Sequence, residues 1–225
     1  MSGSVKEFYE TYWADGDPPP THDRLSPARA EVLWSLVGPV RDRALRLLEC
    51  GSGEGHLVAE AAAKGIEAEG MEISGAAVER ARRAHPGCSF WEHSVDDRPW
   101  PAPPGSCDVV VAFEVIAHLP WPRALLQGAA EVLRPGGHLA LTTPYHGPAK
   151  RSALAALAFD RHFNVDGEHL RFFSDRALGR LLEESGFAVE RVVHLGRHWP
   201  VWADTFVWAR RRSALPGVAG DRADP

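Results

Sequence analysis

A chain of 225 residues, 44% hydrophobic and 24% charged, has the composition of a soluble globular protein and the length of one domain with a real core, or of a domain with a small cap. Its net charge of −5 gives no electrostatic footprint for nucleic acid or for an anionic membrane surface. No apolar run approaches the ~20 residues that span a bilayer, and Met1–Glu7 lacks the apolar core of a secretion signal.

Over residues 1–17, Phe8, Tyr9, Tyr12 and Trp13 recur at helical spacing. Asp17-Pro18-Pro19-Pro20 ends that segment, because proline cannot continue a helix. Ser26 reads as an N-cap with Pro27 at the first helical position, and the helix carries Ala30, Leu33, Trp34 and Val37 on one face before stopping at Gly38-Pro39. From Ala44 onward strand and helix alternate. Strands are expected near 44–49, 67–72, 88–93, 107–113 and 137–143, and helices near 55–64, 74–84, 122–133 and 174–185. Strands separated by helices imply a parallel sheet. Two closing runs, Phe187–Leu195 and Val201–Arg210, are joined by few residues around Arg197-His198-Trp199-Pro200 and so pair antiparallel. The expected class is α/β: a Rossmann-like, seven-stranded, mostly parallel sheet with an antiparallel C-terminal hairpin and helices on both faces. Cys50, Cys88 and Cys107 fall in strands or at their ends. An odd, sparse set in such places reads as reduced core thiols, and a cytoplasmic location is expected.

The informative stretch is Arg46–His56. A buried strand ends in Glu49, then Gly51, Gly53 and Gly55 form G-x-G-x-G, then a helix starts. Glycines there permit positive φ and close approach of a ligand to the backbone, and the helix N-terminus points its N–H groups at that ligand. A second strand ends in Glu72, where an acid can take both hydroxyls of a ribose. These features describe a nucleoside-binding βαβ unit. A dinucleotide fingerprint would need its third glycine at His56, and the carboxylates of Glu49 and Glu54 suit a cation better than a pyrophosphate.

This segment resembles motif I of the class I S-adenosylmethionine-dependent methyltransferases. Gly105–Pro120 looks like motif IV of the same family, and Leu133-Arg134-Pro135-Gly136-Gly137-His138-Leu139 matches its L-R-P-G-G-x-L entry into a buried strand. The matches run in order over about residues 44–190. They are most similar to the branch that holds ubiquinone-biosynthesis O-methyltransferases and secondary-metabolite methyltransferases.

The resemblance implies S-adenosylmethionine as cofactor, S-adenosylhomocysteine as product, and a biosynthetic role. It places Glu49, Gly51, Ser52, Gly53 and Gly55 around the methionine portion. Glu72 falls on the ribose, Ile73 on the adenine, Ser94 and Val95 in the adenine loop, and Phe113 and Glu114 at the donor side of motif IV. Residues 1–40 become a helical lid or cap, 41–212 the methyltransferase domain with an acceptor-side insertion at about 147–173, and 213–225 a flexible tail. Some relatives hold a divalent metal with E-x-x-E-H, but this chain has Ala117 where the second acid would be, so no metal is expected.

For an acceptor bearing a proton, histidine is the natural base. His146, His118 and His169 are the candidates, with Tyr145, His162, Tyr12 and Trp13 as acceptor contacts. Each has a bland alternative: His118 bonds Glu114 one turn away, His169 is structural, and the N-terminal aromatics pack a helix on the sheet edge. The expected function is methyl transfer to an oxygen or nitrogen of a small acceptor, by a monomer or homodimer. Two other readings stay open: an RNA 2′-O-methyltransferase-like enzyme, and a non-catalytic nucleoside-binding module.

Overall fold

The computed structural model describes residues 2–14, 26–38, 44–157, 170–196, 198–200 and 202–213. Two helices, α1 (Ser2–Ala14) and α2 (Ser26–Val37), lead into β1 (Arg46–Cys50), α3 (His56–Ala63), β2 (Glu67–Glu72), α4 (Gly75–Ala84) and β3 (Ser89–Glu92). Then follow β4 (Cys107–Ala112), a 3-10 turn at Ile116–His118, α5 (Pro122–Val132), β5 (Leu133–Pro144) and α6 (Pro148–Leu157). The chain closes with α7 (Asp175–Glu184), β6 (Phe187–Leu195) and β7 (Asp204–Arg211). The seven strands lie in the order β3-β2-β1-β4-β5-β7-β6. The first five are parallel, and β7 runs antiparallel to both β5 and β6, as the alternating pattern and terminal hairpin require.

A sheet covered on both faces needs strands that are apolar on both sides. Adjacent residues of one strand therefore serve opposite layers. Leu48, Val110, Leu139 and Leu141 pack with Leu125, Leu126 and Val132 of α5 and Leu178 and Leu182 of α7. Leu47, Val109, Val111 and Ala140 point the other way, onto Leu33 and Val37 of α2 and Ala61 of α3. A smaller cluster joins Val58 of α3 to Val78 and Ala81 of α4 over Phe90. Helix α2 thus belongs to the body of the domain.

Two details differ from the expected elements. The Gly136-Gly137 turn is absorbed into a longer β5: pairing with β4 shifts register between Cys107 and Val109, and Gly136 takes φ +79. The expected insertion at 147–173 opens with a helix, α6. His162 and His169 lie outside the described residues, as do positions 214–225 of the tail. No helix among the described residues is long and apolar enough to cross a membrane.

The order of strands places the reversal of crossover direction between β1 and β4, so the crevice for a ligand opens at their carboxyl ends. The core beneath it should be sensitive and its edge tolerant. Leu139→Ala, in fully buried β5, is expected to cost about 2–5 kcal/mol in urea denaturation. Val192→Ala, 42% exposed on edge strand β6, should stay within about 0.5 kcal/mol.

Candidate active site

The loop after β1 is held open by backbone geometry. Gly51, Gly53 and Gly55 take φ of +71, +49 and +79, conformations that a Cβ penalises. The N–H groups of Gly51 and Ser52 both donate to the Met71 carbonyl of β2, at 2.8 and 3.2 Å, and Gly55 N–H closes the turn on Ser52 O at 2.8 Å. A Cβ on Gly51 would sit 2.5 Å from Val115 Cγ2. A Cβ on Gly70 would sit 2.6 Å from Ser52 Oγ, so β2 needs glycine there to admit the Ser52 side chain.

Two carboxylates flank this loop. Glu72 accepts Gly53 N–H and Ser74 N–H, both at 3.1 Å. Burial raises its pKa, against the lowering effect of those N–H groups. Glu49, one strand over, is held well above the ordinary glutamate range by burial and then by repulsion from Glu72, with a hydrogen bond from Val58 opposing. Glu49 Oε2 and Ser52 Oγ are buried with no hydrogen-bond partner among the described residues.

Helix α1 docks on the same end of the sheet. Glu10 accepts Gly75 N–H at 2.8 Å, Ala76 N–H at 3.2 Å and the Ser74 hydroxyl at 3.0 Å, capping α4 beside Glu72. Partial burial works against its charge, but these bonds outweigh it and hold the carboxyl below its ordinary value. Lys6 pairs with Glu92 at the end of β3. Trp13 is buried, its ring 3.3 Å from where a Cβ on Gly53 would sit, and Tyr12 packs edge-on against it with ring centroids 5.4 Å apart.

The structure therefore gathers Glu49, Gly51, Ser52, Gly53, Gly55, Glu72 and Trp13 around one loop, with Tyr12 against Trp13 and Ile73 directly after Glu72. Ser94 and Val95 follow β3 and are buried; Ser94 Oγ accepts Asp96 N–H at 3.2 Å and the Val95 carbonyl accepts from Arg98 at 2.7 Å. Phe113 packs on Phe206 at 5.7 Å. Glu114 is tied to Thr142 at 2.7 Å and to Arg29 at 3.3 Å. His118 stands edge-on to Tyr9, centroids 6.3 Å apart. His146 is buried beside Phe172, its Nδ1 2.9 Å from the Pro144 carbonyl. Tyr145 turns instead into an aromatic cluster with His194 and Trp202, at 4.8 and 5.4 Å.

Sequence reasoning missed Glu10 and Arg29. Glu10 carries no sequence signal, because its partners lie 65 positions away. Arg29 does carry one: Arg29, Leu33 and Val37 recur at intervals of four, so an arginine sits on the apolar stripe of its own helix.

This donor set fits S-adenosylmethionine. The acid lacking a hydrogen-bond partner at one oxygen, and the two raised carboxyls, suit a cationic ligand bearing vicinal hydroxyls. Three glycines with positive φ give the loop between them a backbone shape that other residues rarely adopt. Among the described residues no three His, Cys, Asp or Glu side chains come together as a metal-ligand group.

Comparison with known proteins agrees. A family model described as a methyltransferase domain matches residues 21–192. The chain is 31% identical over 143 residues to the ubiquinone biosynthesis O-methyltransferase of Xanthomonas axonopodis pv. citri (strain 306), covering 61% of this chain and 58% of that one. It is 32% identical over 166 residues to a probable S-adenosylmethionine-dependent methyltransferase of Mycolicibacterium smegmatis (strain ATCC 700084 / mc(2)155), covering 72% and 59%. The chain thus spans less than two thirds of these relatives. Its fold is similar to Burkholderia thailandensis 1,6-didemethyltoxoflavin-N1-methyltransferase, solved with 1,6-didemethyltoxoflavin and S-adenosylhomocysteine. That match has a TM-score of 0.70 at 16% identity over 94% of this chain and 88% of that one.

The raised carboxyl of Glu49 makes a prediction about stability. Because its folded pKa lies above the unfolded one, its contribution is fully present below the ordinary glutamate range and is lost as pH rises through the folded value. Glu49→Gln imitates the protonated group. It should melt level with the unchanged chain at acidic pH and above it at neutral pH. Melting curves that coincide at every pH would contradict a Glu49 carboxyl raised by burial and by its neighbour.

Proposed function

The chain belongs to the class I S-adenosylmethionine-dependent methyltransferases, and we propose that it transfers the methyl group to an oxygen or nitrogen of a small-molecule acceptor. The observation that carries this reading is the pair of buried carboxyl groups, Glu49 and Glu72, flanking a loop whose three glycines take positive φ. When bound, S-adenosylmethionine supplies a methyl group on a positively charged sulfur, open to in-line displacement.

In this reading Glu72 takes the ribose hydroxyls, and Ile73, Ser94 and Val95 line the adenine. Glu49 faces the methionine ammonium, with Gly51, Ser52, Gly53 and Gly55 supplying backbone. Phe113 and Glu114 border the donor from the end of β4. Positioning supplies most of the rate for such a transfer, and a base then takes the acceptor's proton. His146 suits that role. Its Nδ1 faces a carbonyl that only accepts, so Nδ1 carries the proton and Nε2 is the basic nitrogen of the neutral ring. His118 and His169 are the other bases of the proposal. Tyr12, Trp13, Tyr145 and His162 serve the acceptor, and α1 within residues 1–40 acts as the lid over the 41–212 domain. The acceptor class follows from the net charge of −5, which disfavours nucleic acid, and from the small-molecule names of the relatives.

Isothermal titration with S-adenosylhomocysteine tests the donor site, with NAD⁺ as control. Micromolar binding of the former alone is expected. Glu72→Ala should weaken it by roughly tenfold or more, as loss of a charge-assisted hydrogen bond does. Gly53→Val, which forces a branched side chain onto φ +49 against Trp13, should do the same. Binding of NAD⁺ alone, or unchanged affinity in both variants, would sink the assignment.

A further inference from the structure

Arg29 sits on α2, at the opposite end of the chain from its partner Asp204, and its side chain is only 5% exposed. Its Nε and Nη2 lie 2.7 and 2.5 Å from Asp204 Oδ2, at the start of β7. Nη2 also lies 3.3 Å from Glu114 Oε1, just past β4. The Thr142 hydroxyl of β5 donates to the same Glu114 oxygen at 2.7 Å and accepts Glu114 N–H at 3.0 Å. One residue at the strand-end crevice is thus tied to α2 and β5 directly, and to β7 through the guanidinium.

Glu114 has need of such ties. Its φ is +57, the one left-handed non-glycine residue among those described. A side chain stays in that region only where its surroundings over-determine it. The turn it makes redirects the chain at the β1–β4 switch point. Immediately beyond, Val115 covers Gly51, its Cγ2 2.5 Å from the position a Cβ would take there. Further on, the Ala117 carbonyl accepts the N–H groups of Leu170 and Arg171, both at 2.9 Å.

We infer that Arg29 is a positioning residue of the donor site: its forked guanidinium holds Glu114 in the left-handed turn that seats Val115 on the glycine loop. The inference rests on the donor reading above. Nothing in it requires Arg29 to touch the ligand. It does require the cation: Nη2 lies within reach of both carboxylates, and Nε adds a second bond to Asp204.

Arg29→Met removes the cation and keeps an apolar stem. It is expected to retain the far-ultraviolet circular dichroism of the unchanged chain and to bind S-adenosylhomocysteine roughly tenfold more weakly. Arg29→Lys returns a single cation between the two carboxylates and should bind within roughly threefold of the unchanged chain. An ion pair that merely stabilises the fold would not change donor affinity in a folded variant. Should Arg29→Met fail to fold, Thr142→Val removes the other tie to Glu114, and the same loss is expected. Unchanged affinity in whichever of these two variants folds, or a lysine variant no tighter than the methionine variant, overturns the inference. If the unchanged chain itself does not bind S-adenosylhomocysteine, the donor reading falls and takes the inference with it.

Discussion

Two acidic groups buried at the ends of neighbouring strands form the constraint on which this end of the molecule depends. Taking a carboxylate out of water is costly, and taking two adjacent ones is costlier. Glu72 is partly compensated by the N–H groups of Gly53 and Ser74; Glu49 receives much less, and one of its oxygens has no hydrogen-bond partner among the described residues. A fold selected for stability alone would place a neutral side chain at the end of β1. Retaining an acid there is what a site for a cation requires. The surrounding sequence then follows by exclusion of volume. Gly70 is needed because Ser52 fills the space a Cβ would take, and Gly51 because Val115 does.

The same end of the sheet governs the N-terminal helix. Glu10 caps α4 two residues from Glu72, so α1 is anchored to the helix whose first turn also supplies an N–H to that acid. Its negative charge is favoured by the helix N-terminus, although it adds to the repulsion felt at Glu72. Trp13 closes over Gly53 from the other side. Docking of α1 and the electrostatics of the crevice therefore meet at Glu10.

Much of this was legible in the sequence because its signals are local. A glycine loop between strand and helix, an acid at each strand end and alternating apolar runs all lie within about twenty residues of what they specify. Those patterns carry the parallel sheet and the gathering of Glu49, Glu72 and the loop glycines. The hairpin partners β6 and β7 were equally readable, being adjacent in sequence. What the pattern could not carry was pairing at a distance. Arg29 meets Asp204 across 175 positions and Glu10 meets Gly75 across 65; nothing in the spacing of either names its partner. Tyr145 likewise has neighbours that local spacing does not name. This strand-end tyrosine packs against His194 and Trp202, because β7 and β6 fold back alongside β5.

The two described histidines of the proposed chemistry depend on different parts of the molecule. His146 follows Pro144 at the end of β5, and its ring is fixed by a bond to that residue's carbonyl. That anchor belongs to the end of the sheet and to no residue of α1. His118 closes the 3-10 turn after Glu114 and rests against Tyr9 of α1. Its surroundings are set by the Glu114 turn on one side and by the docked helix on the other. Proton removal by His146 would run at a site built in advance, with α1 serving only to exclude water. Removal by His118 would make the base itself conditional on α1 being closed. Since preorganised groups avoid the cost of reorienting during the reaction, our proposal puts His146 ahead of His118 as the base, and gives His118 the part of linking acceptor entry to the docking of α1.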